Sequence, residues 1–209
     1  GEGVTLIINE TSYPVNFADL PDPELTERPL ADFVPDNIMS FYTMGDSFSY
    51  DQIRVLYDYR LIPYDGGDEC FPVTWDEIDA ETDPPMVDLS SGLPVVTGLA
   101  VAGCGEIDDL ATIEMVRKVI VDDGVSEEVY YWEELATVTV DDEEVVFLDT
   151  LLDTAGLSEA EKVENDYFLF ASDEFGNYFP YGHHHLEDMY FIPLENRTFV
   201  IDYDPDLPP

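Results

Sequence analysis

Apolar and polar positions alternate from the first residues of the chain. Val4-Thr-Leu-Ile-Ile8 and Tyr13-Pro-Val-Asn-Phe17 predict two strands, with the polar break Asn9-Glu10-Thr11-Ser12 as the turn between them. The pattern returns at an offset of 115 as Val119-Ile-Val121, the turn Asp122-Asp123-Gly124, and Glu128-Val-Tyr-Tyr-Trp132. Val4/Val119, Phe17/Trp132 and Leu20/Leu135 keep register between the copies. A second recurrence has an offset of 108: the segments 58–72 and 166–180 share six of fifteen positions, Asp58/Asp166, Tyr59/Tyr167, Leu61/Leu169, Asp65/Asp173, Phe71/Phe179 and Pro72/Pro180. In each copy the first half alternates as a half-buried strand does, and the Gly/Asp-rich second half predicts a turn.

Helical periodicity is confined to short segments. Pro29-Leu-Ala-Asp-Phe-Val34 begins with the proline favoured at a first helical position, and 146–155 places Leu148, Leu151, Leu152 and Ala155 on one face before Gly156. Thr74-Trp-Asp-Glu77 and Ser158-Glu-Ala-Glu161 have the spacing of capping boxes. An apolar run at 95–101 leads to a further predicted strand at 115–121, and repeat two ends with the apolar segments 189–192 and 198–201 ahead of a Pro/Asp tail from Asp202 to Pro209. The pattern therefore predicts a strand-rich α+β protein with an internal duplication, repeat one at 1–118 and repeat two at 119–209. Each repeat supplies a hairpin, a short helix and a strand-turn, and the two pack as one compact body.

Composition decides what such a body can meet. With 45% hydrophobic and 13% aromatic residues among 209, the chain has ample material for a core. Its 48 Asp and Glu against 7 Lys and Arg give a formal charge of −41, a balance that in an aromatic-poor chain would mean disorder. A field of this sign disfavours nucleic acid, anionic membranes and polyphosphates, and favours cationic or neutral ligands, basic protein surfaces and a salty medium. No apolar run approaches the roughly 20 residues of a membrane span, so membrane insertion is not expected. Cys70 and Cys104 lack metal-type spacing and are compatible with one disulfide or two thiols. The start at Gly1 without methionine reads as a processed product, and with the acidic bias it gives an expected extracytoplasmic location.

The run 146–157, ending in Ala155-Gly156-Leu157, followed by Asp166-Tyr-Phe-Leu-Phe-Ala-Ser-Asp173 and Tyr178, resembles the oxidoreductase molybdopterin-binding domain of the sulfite-oxidase type. In that family a short helix ending in Ala-Gly-Leu precedes a strand that enters an Asp-Gly-Tyr turn. The resemblance covers about 45 residues well. It implies the family fold, but the departures imply lost chemistry. Family enzymes hold molybdenum through a cysteine in a Cys-x-Gly-Asn-Arg-like context and grip the pterin phosphate with basic side chains. Here Cys104 sits in Ala102-Gly-Cys-Gly-Glu106, Cys70 in an acidic turn, and the few basic residues are scattered. The resemblance thus implies a cofactor-free relative.

Every histidine lies in Tyr181-Gly-His183-His184-His185-Leu-Glu187-Asp188. On a strand, His183, His185 and Glu187 would share one face, a ligand set suited to zinc or another borderline divalent metal. The acidic turn at 65–69 offers oxygens of the kind calcium takes, yet lacks the spacing of an EF-hand loop. No nucleophile elbow or phosphate loop appears, and paired carboxylates are too frequent to single out an acid–base pair. The expected function is a non-enzymatic extracytoplasmic binding or interaction module with no cofactor. The alternative is a divalent-metal-binding or metal-dependent protein centred on His183, His185 and Glu187.

Overall fold

A computed structural model describes residues 3–39, 50–99, 103–172 and 175–191. Strand accounts for 42% and helix for 23%, which makes this an α+β protein. The chain divides into two compact units, Gly1–Arg117 and Lys118–Pro209.

The first unit is built on β1 (Gly3–Ile8), β2 (Thr11–Asn16), β4 (Tyr57–Pro63), β5 (Cys70–Thr74) and the first part of β8 (Leu110–Asp122), in the order β2-β1-β8-β4-β5. All neighbours are antiparallel except β1 and β8, which run parallel with Leu6 opposite Ile113. Alternation in β1 buries Val4, Leu6 and Ile8, and β4 adds Tyr57, Tyr59 and Leu61 to the same core. The turn at Asn9-Glu10 needs two positive φ angles, 49° and 63°, which an asparagine tolerates better than most residues. A second, three-stranded sheet joins β3 (Glu27–Pro29), β6 (Met86–Asp88) and β7 (Val95–Thr97). Among the described residues the unit also carries three short α-helices: α1 (Asp36–Met39), α2 (Tyr50–Arg54) and α3 (Trp75–Ile78). The capping box predicted at Thr74 forms: the Glu77 amide donates to Thr74 Oγ1 at 3.3 Å and the Thr74 amide to Glu77 Oε2 at 2.8 Å.

In the second unit, the remainder of β8 pairs with β9 (Glu127–Tyr131), Ile120 opposite Val129. β10 (Val138–Val140), β11 (Glu143–Phe147) and β14 (Tyr190–Phe191) form a small sheet, and β12 (Asp166–Ser172) pairs with β13 (Phe175–Gly182). Helices α4 (Leu148–Thr154), α5 (Glu159–Glu164) and α6 (His183–Leu186) lie between and after these strands. Leu148, Leu151 and Leu152 turn into a core shared with Val146, Leu186 and Phe191. Gly156, at a φ of 83°, ends the turn after α4, and Ser158 caps α5 through the predicted box with Glu161.

Three expectations need correction. The segment 29–34 forms a 3-10 turn, Leu30–Phe33, rather than an α-helix, and the segment 143–147 is a strand that runs straight into α4. The histidines lie on the helix α6, not on a strand. The apolar segment 198–201, the tail from Asp202, and Asp173 of the second turn lie outside the described residues.

Cys70 and Cys104 are joined as a disulfide, Cα to Cα 5.8 Å, which settles the alternative left open by the sequence. The bond closes a separation of 34 residues and ties the start of β5 to the segment ahead of β8. Chain-entropy arithmetic for a loop of this size gives about 3 to 4 kcal/mol. Replacing both cysteines by serine is expected to lower the unfolding free energy by about that amount, measured by urea denaturation. A loss under about 1 kcal/mol would mean that the surrounding core already fixes the loop.

Candidate functional site

Two places in the fold gather chemistry. In the second unit, α5 carries Lys162, whose side chain is fully buried although the residue is a cation. Its Nζ donates to Asp149 Oδ1 on α4 at 3.0 Å and to Glu159 Oε1 one turn earlier at 2.9 Å, and it pairs closely with Asp153. Asp149 Oδ1 also lies 2.6 Å from His183 Nε2, so one carboxylate bridges the buried lysine and the buried histidine. The other ring nitrogen, His183 Nδ1, stands 3.6 Å from Glu187 Oε1. The Tyr167 hydroxyl donates to the Lys162 carbonyl at 3.0 Å and fastens α5 to β12.

Electrostatics in this cluster follow from who is buried. Burial alone would raise the Asp149 carboxyl pKa, but the hydrogen bonds from His183 and Lys162 outweigh it and hold the group below its ordinary value. Burial would likewise favour a neutral lysine. The three carboxylates prevail and raise the Lys162 pKa well above the usual range.

The residues proposed from the sequence are only partly brought together. His183 and Glu187 share a helical face, as positions four apart do. His185 is two positions on, about 200° around the helix from His183, and its ring sits 6.2 Å from Tyr181 and 3.9 Å from His184, centre to centre. Among the described residues no three His, Cys, Asp or Glu side chains are grouped to hold a metal ion. Asp149, Asp153, Glu159 and Lys162 were missed by sequence reasoning. The available signal was a rare lysine three positions after Glu159 in a capped helix.

In the first unit the second place is an open recess of about 350 Å³, lined chiefly by Asp51, Trp75, Asp76, Asp79 and Glu81. Arg54 lies behind it: its guanidinium is 4.8 Å from the Trp75 ring centre and donates to Asp51 at 2.9 Å and to Asp36 at 2.6 Å. The Tyr59 hydroxyl donates to the Arg54 carbonyl at 3.2 Å. Partial burial raises the Asp79 pKa, Asp51 raises it further, and Arg54 only partly offsets the two. Carboxylates that repel each other in a recess favour a cation between them.

No protein family, curated protein or solved structure matches this chain.

The Lys162 cluster gives a test with a defined sign. Lys162→Met leaves Asp149, Asp153 and Glu159 facing one another without a cation, and the melting temperature is expected to fall by roughly 3 to 8 °C. Because the folded-state pKa of Asp149 is depressed, its contribution is present above the ordinary carboxylate pKa and is lost as pH falls through the lower folded value. Asp149→Asn should therefore separate from wild type at neutral pH and converge on it in acid below about pH 4, followed by urea unfolding across pH. Parallel profiles would show that Asp149 contributes no pH-linked stability.

Proposed function

We propose that this protein is a non-enzymatic extracytoplasmic binding module that takes a cationic or neutral ligand, or a basic protein surface, at the acidic recess of its first unit. The observation that carries the reading is the recess itself: Asp76, Asp79 and Glu81 line a concave opening beside Trp75, with Arg54 engaged by Asp51 and Asp36. The disulfide supports an oxidising compartment, where such bonds persist. The Gly156-closed helix and the strand that follows are the support for a cofactor-free relative of the molybdopterin-binding scaffold.

The reading includes a duplicated plan, supported by matched local geometry. Asp58 and Tyr59 pair with Thr74 and Val73, and at the offset of 108 Asp166 and Tyr167 pair with Gly182 and Tyr181; a register shift follows in both hairpins. The amide that opens the turn after β3, Leu30, donates to the Pro85 carbonyl at 2.8 Å; the amide that opens α4, Leu148, donates to the Met189 carbonyl at 2.9 Å. Tyr59 bonds the carbonyl of the buried cation Arg54, and Tyr167 that of the buried cation Lys162. In this correspondence Asp51, Trp75, Asp76 and Asp79 align with Glu159, His183, His184 and Glu187. The acidic recess and the histidine face are then versions of one position.

Calorimetric titration with spermine and with a lysine-rich peptide tests the recess. The variant Asp76→Asn/Asp79→Asn/Glu81→Gln is expected to bind about tenfold more weakly than wild type, the effect of removing charge-assisted contacts. A control that removes equal charge elsewhere, Glu127→Gln/Asp141→Asn/Asp142→Asn, should change affinity little. Equal losses in both would attribute binding to the diffuse field alone.

The divalent-metal alternative draws on one distance. His183 Nδ1 and Glu187 Oε1 are 3.6 Å apart, close to the separation of two atoms that each ligate one zinc ion at about 2.1 Å. Titration with zinc, copper and calcium decides it: stoichiometric binding abolished by His183→Ala/His185→Ala would establish the metal reading, and absence of heat with all three would remove it.

A further inference from the structure

Among the described residues, four buried side-chain nitrogens have no protein hydrogen-bond partner: Asn9 Nδ2 and the Nε atoms of Arg28, Arg54 and Arg117. Two of the arginines are compensated through their other nitrogens. Arg28 donates to the carbonyls of Pro21, Asp22 and Leu25 and faces Asp32 at 3.6 Å, and Arg54 pairs with Asp36 and Asp51. Arg117 is different. It is 3% exposed, and among the described residues its protein contacts are a long 3.5 Å bond to the Leu56 carbonyl and the face of Tyr57, 5.6 Å from the ring centre. No carboxylate among the described residues pairs with it, in a chain that carries 48 of them.

The sheet brings the uncompensated groups to one end. Arg117 on β8 is opposite Tyr57 at the start of β4, while Ile8 at the end of β1 is opposite Met115 on the other side of β8. Asn9 follows Ile8 directly, and the Tyr57 hydroxyl donates to Asn9 Oδ1 at 3.2 Å. The amide oxygen is thereby occupied and Nδ2 is the group left over. Burial lowers the Arg117 pKa from its ordinary value, with Tyr57 opposing the change, as expected for a cation that lacks a counter-charge.

We propose that this end of the first sheet binds a small monovalent anion of the halide class, held by Arg117 with Asn9 Nδ2 as a second donor. Both free groups are donors, so their partner must accept. A water molecule would accept but bring no charge, and a buried cation left without one is costly. The surrounding net charge of −41 selects for size and valence: it repels extended and multivalent anions, whereas a single halide carries only the charge that Arg117 offsets. This site shares no residue with the acidic recess, so the two stand or fall separately.

Thermal melting at fixed sodium concentration, with chloride or gluconate as the anion, is the test in solution. Wild type should melt about 3 to 6 °C higher in chloride at ten times the dissociation constant, and above that concentration the gain should go on rising with the logarithm of chloride concentration. Arg117→Met should abolish the difference. Asn9→Gly, which removes the amide while keeping the φ of 49° accessible, should reduce it. Bromide-soaked crystals should show an anomalous peak within hydrogen-bond distance of Arg117 Nε and Asn9 Nδ2. If Arg117→Met does not fold, Asn9→Gly and the bromide map decide the matter. Equal melting in the two anions, an unchanged chloride effect in the variants, or an oxygen acceptor in place of bromide at Arg117 would overturn the proposal.

Discussion

The fold depends on where its few positive charges are placed. The chain has seven Lys and Arg, and among the described residues four of them, Arg28, Arg54, Arg117 and Lys162, are buried. Cations on a surface this acidic would be screened and solvated, and surface pairs contribute little. Inside, Arg28, Arg54 and Lys162 become fixed points around which backbone carbonyls and carboxylates are ordered. Arg54 gathers α1, α2 and the Val34 carbonyl, and Lys162 gathers α4 and α5. The short helices of both units, four to seven residues each, are too short to be stable alone and hold their shape through these contacts and the apolar cores.

The same placement shapes function. With most of the described basic residues buried, the described exterior is dominated by carboxylates, which is what the proposed cation-binding reading draws on. The recess beside Trp75 and the face around His183 differ in the groups that neutralise them. Asp51 in the first is held by an arginine stacked on tryptophan, whereas Asp149 in the second is shared between a lysine and a histidine. One is an arrangement of carboxylates around a guanidinium, and the other an arrangement around an ammonium group and an imidazole.

Local chemistry made much of the fold legible in the sequence. The β1–β2 turn, both capping boxes and the Gly156 stop are encoded by residues within a few positions of one another, and each forms where its pattern indicated. The histidine segment was misread because Gly182 precedes it without a side-chain cap and aromatic residues before it continue the strand pattern. The Asp149–His183 contact spans 34 residues, and the link between Cys70 and Cys104 another 34, so neither follows from local periodicity. The recess joins residues 51–55 to residues 75–81, which only the packing of α2 beside α3 brings together.

The central claim is that interior cations, rather than ions from solvent, hold the carboxylates that flank the cores. The difference in melting temperature between wild type and Lys162→Met, followed from 0.05 to roughly 2 M sodium chloride, tests it directly, because salt screens exposed charges within a Debye length of a few ångströms and buried ones far less. Both proteins should gain stability as surface repulsion is screened, with the gap between them preserved. Closure of the gap at high salt would contradict the account, since solvent cations would then do what Lys162 does.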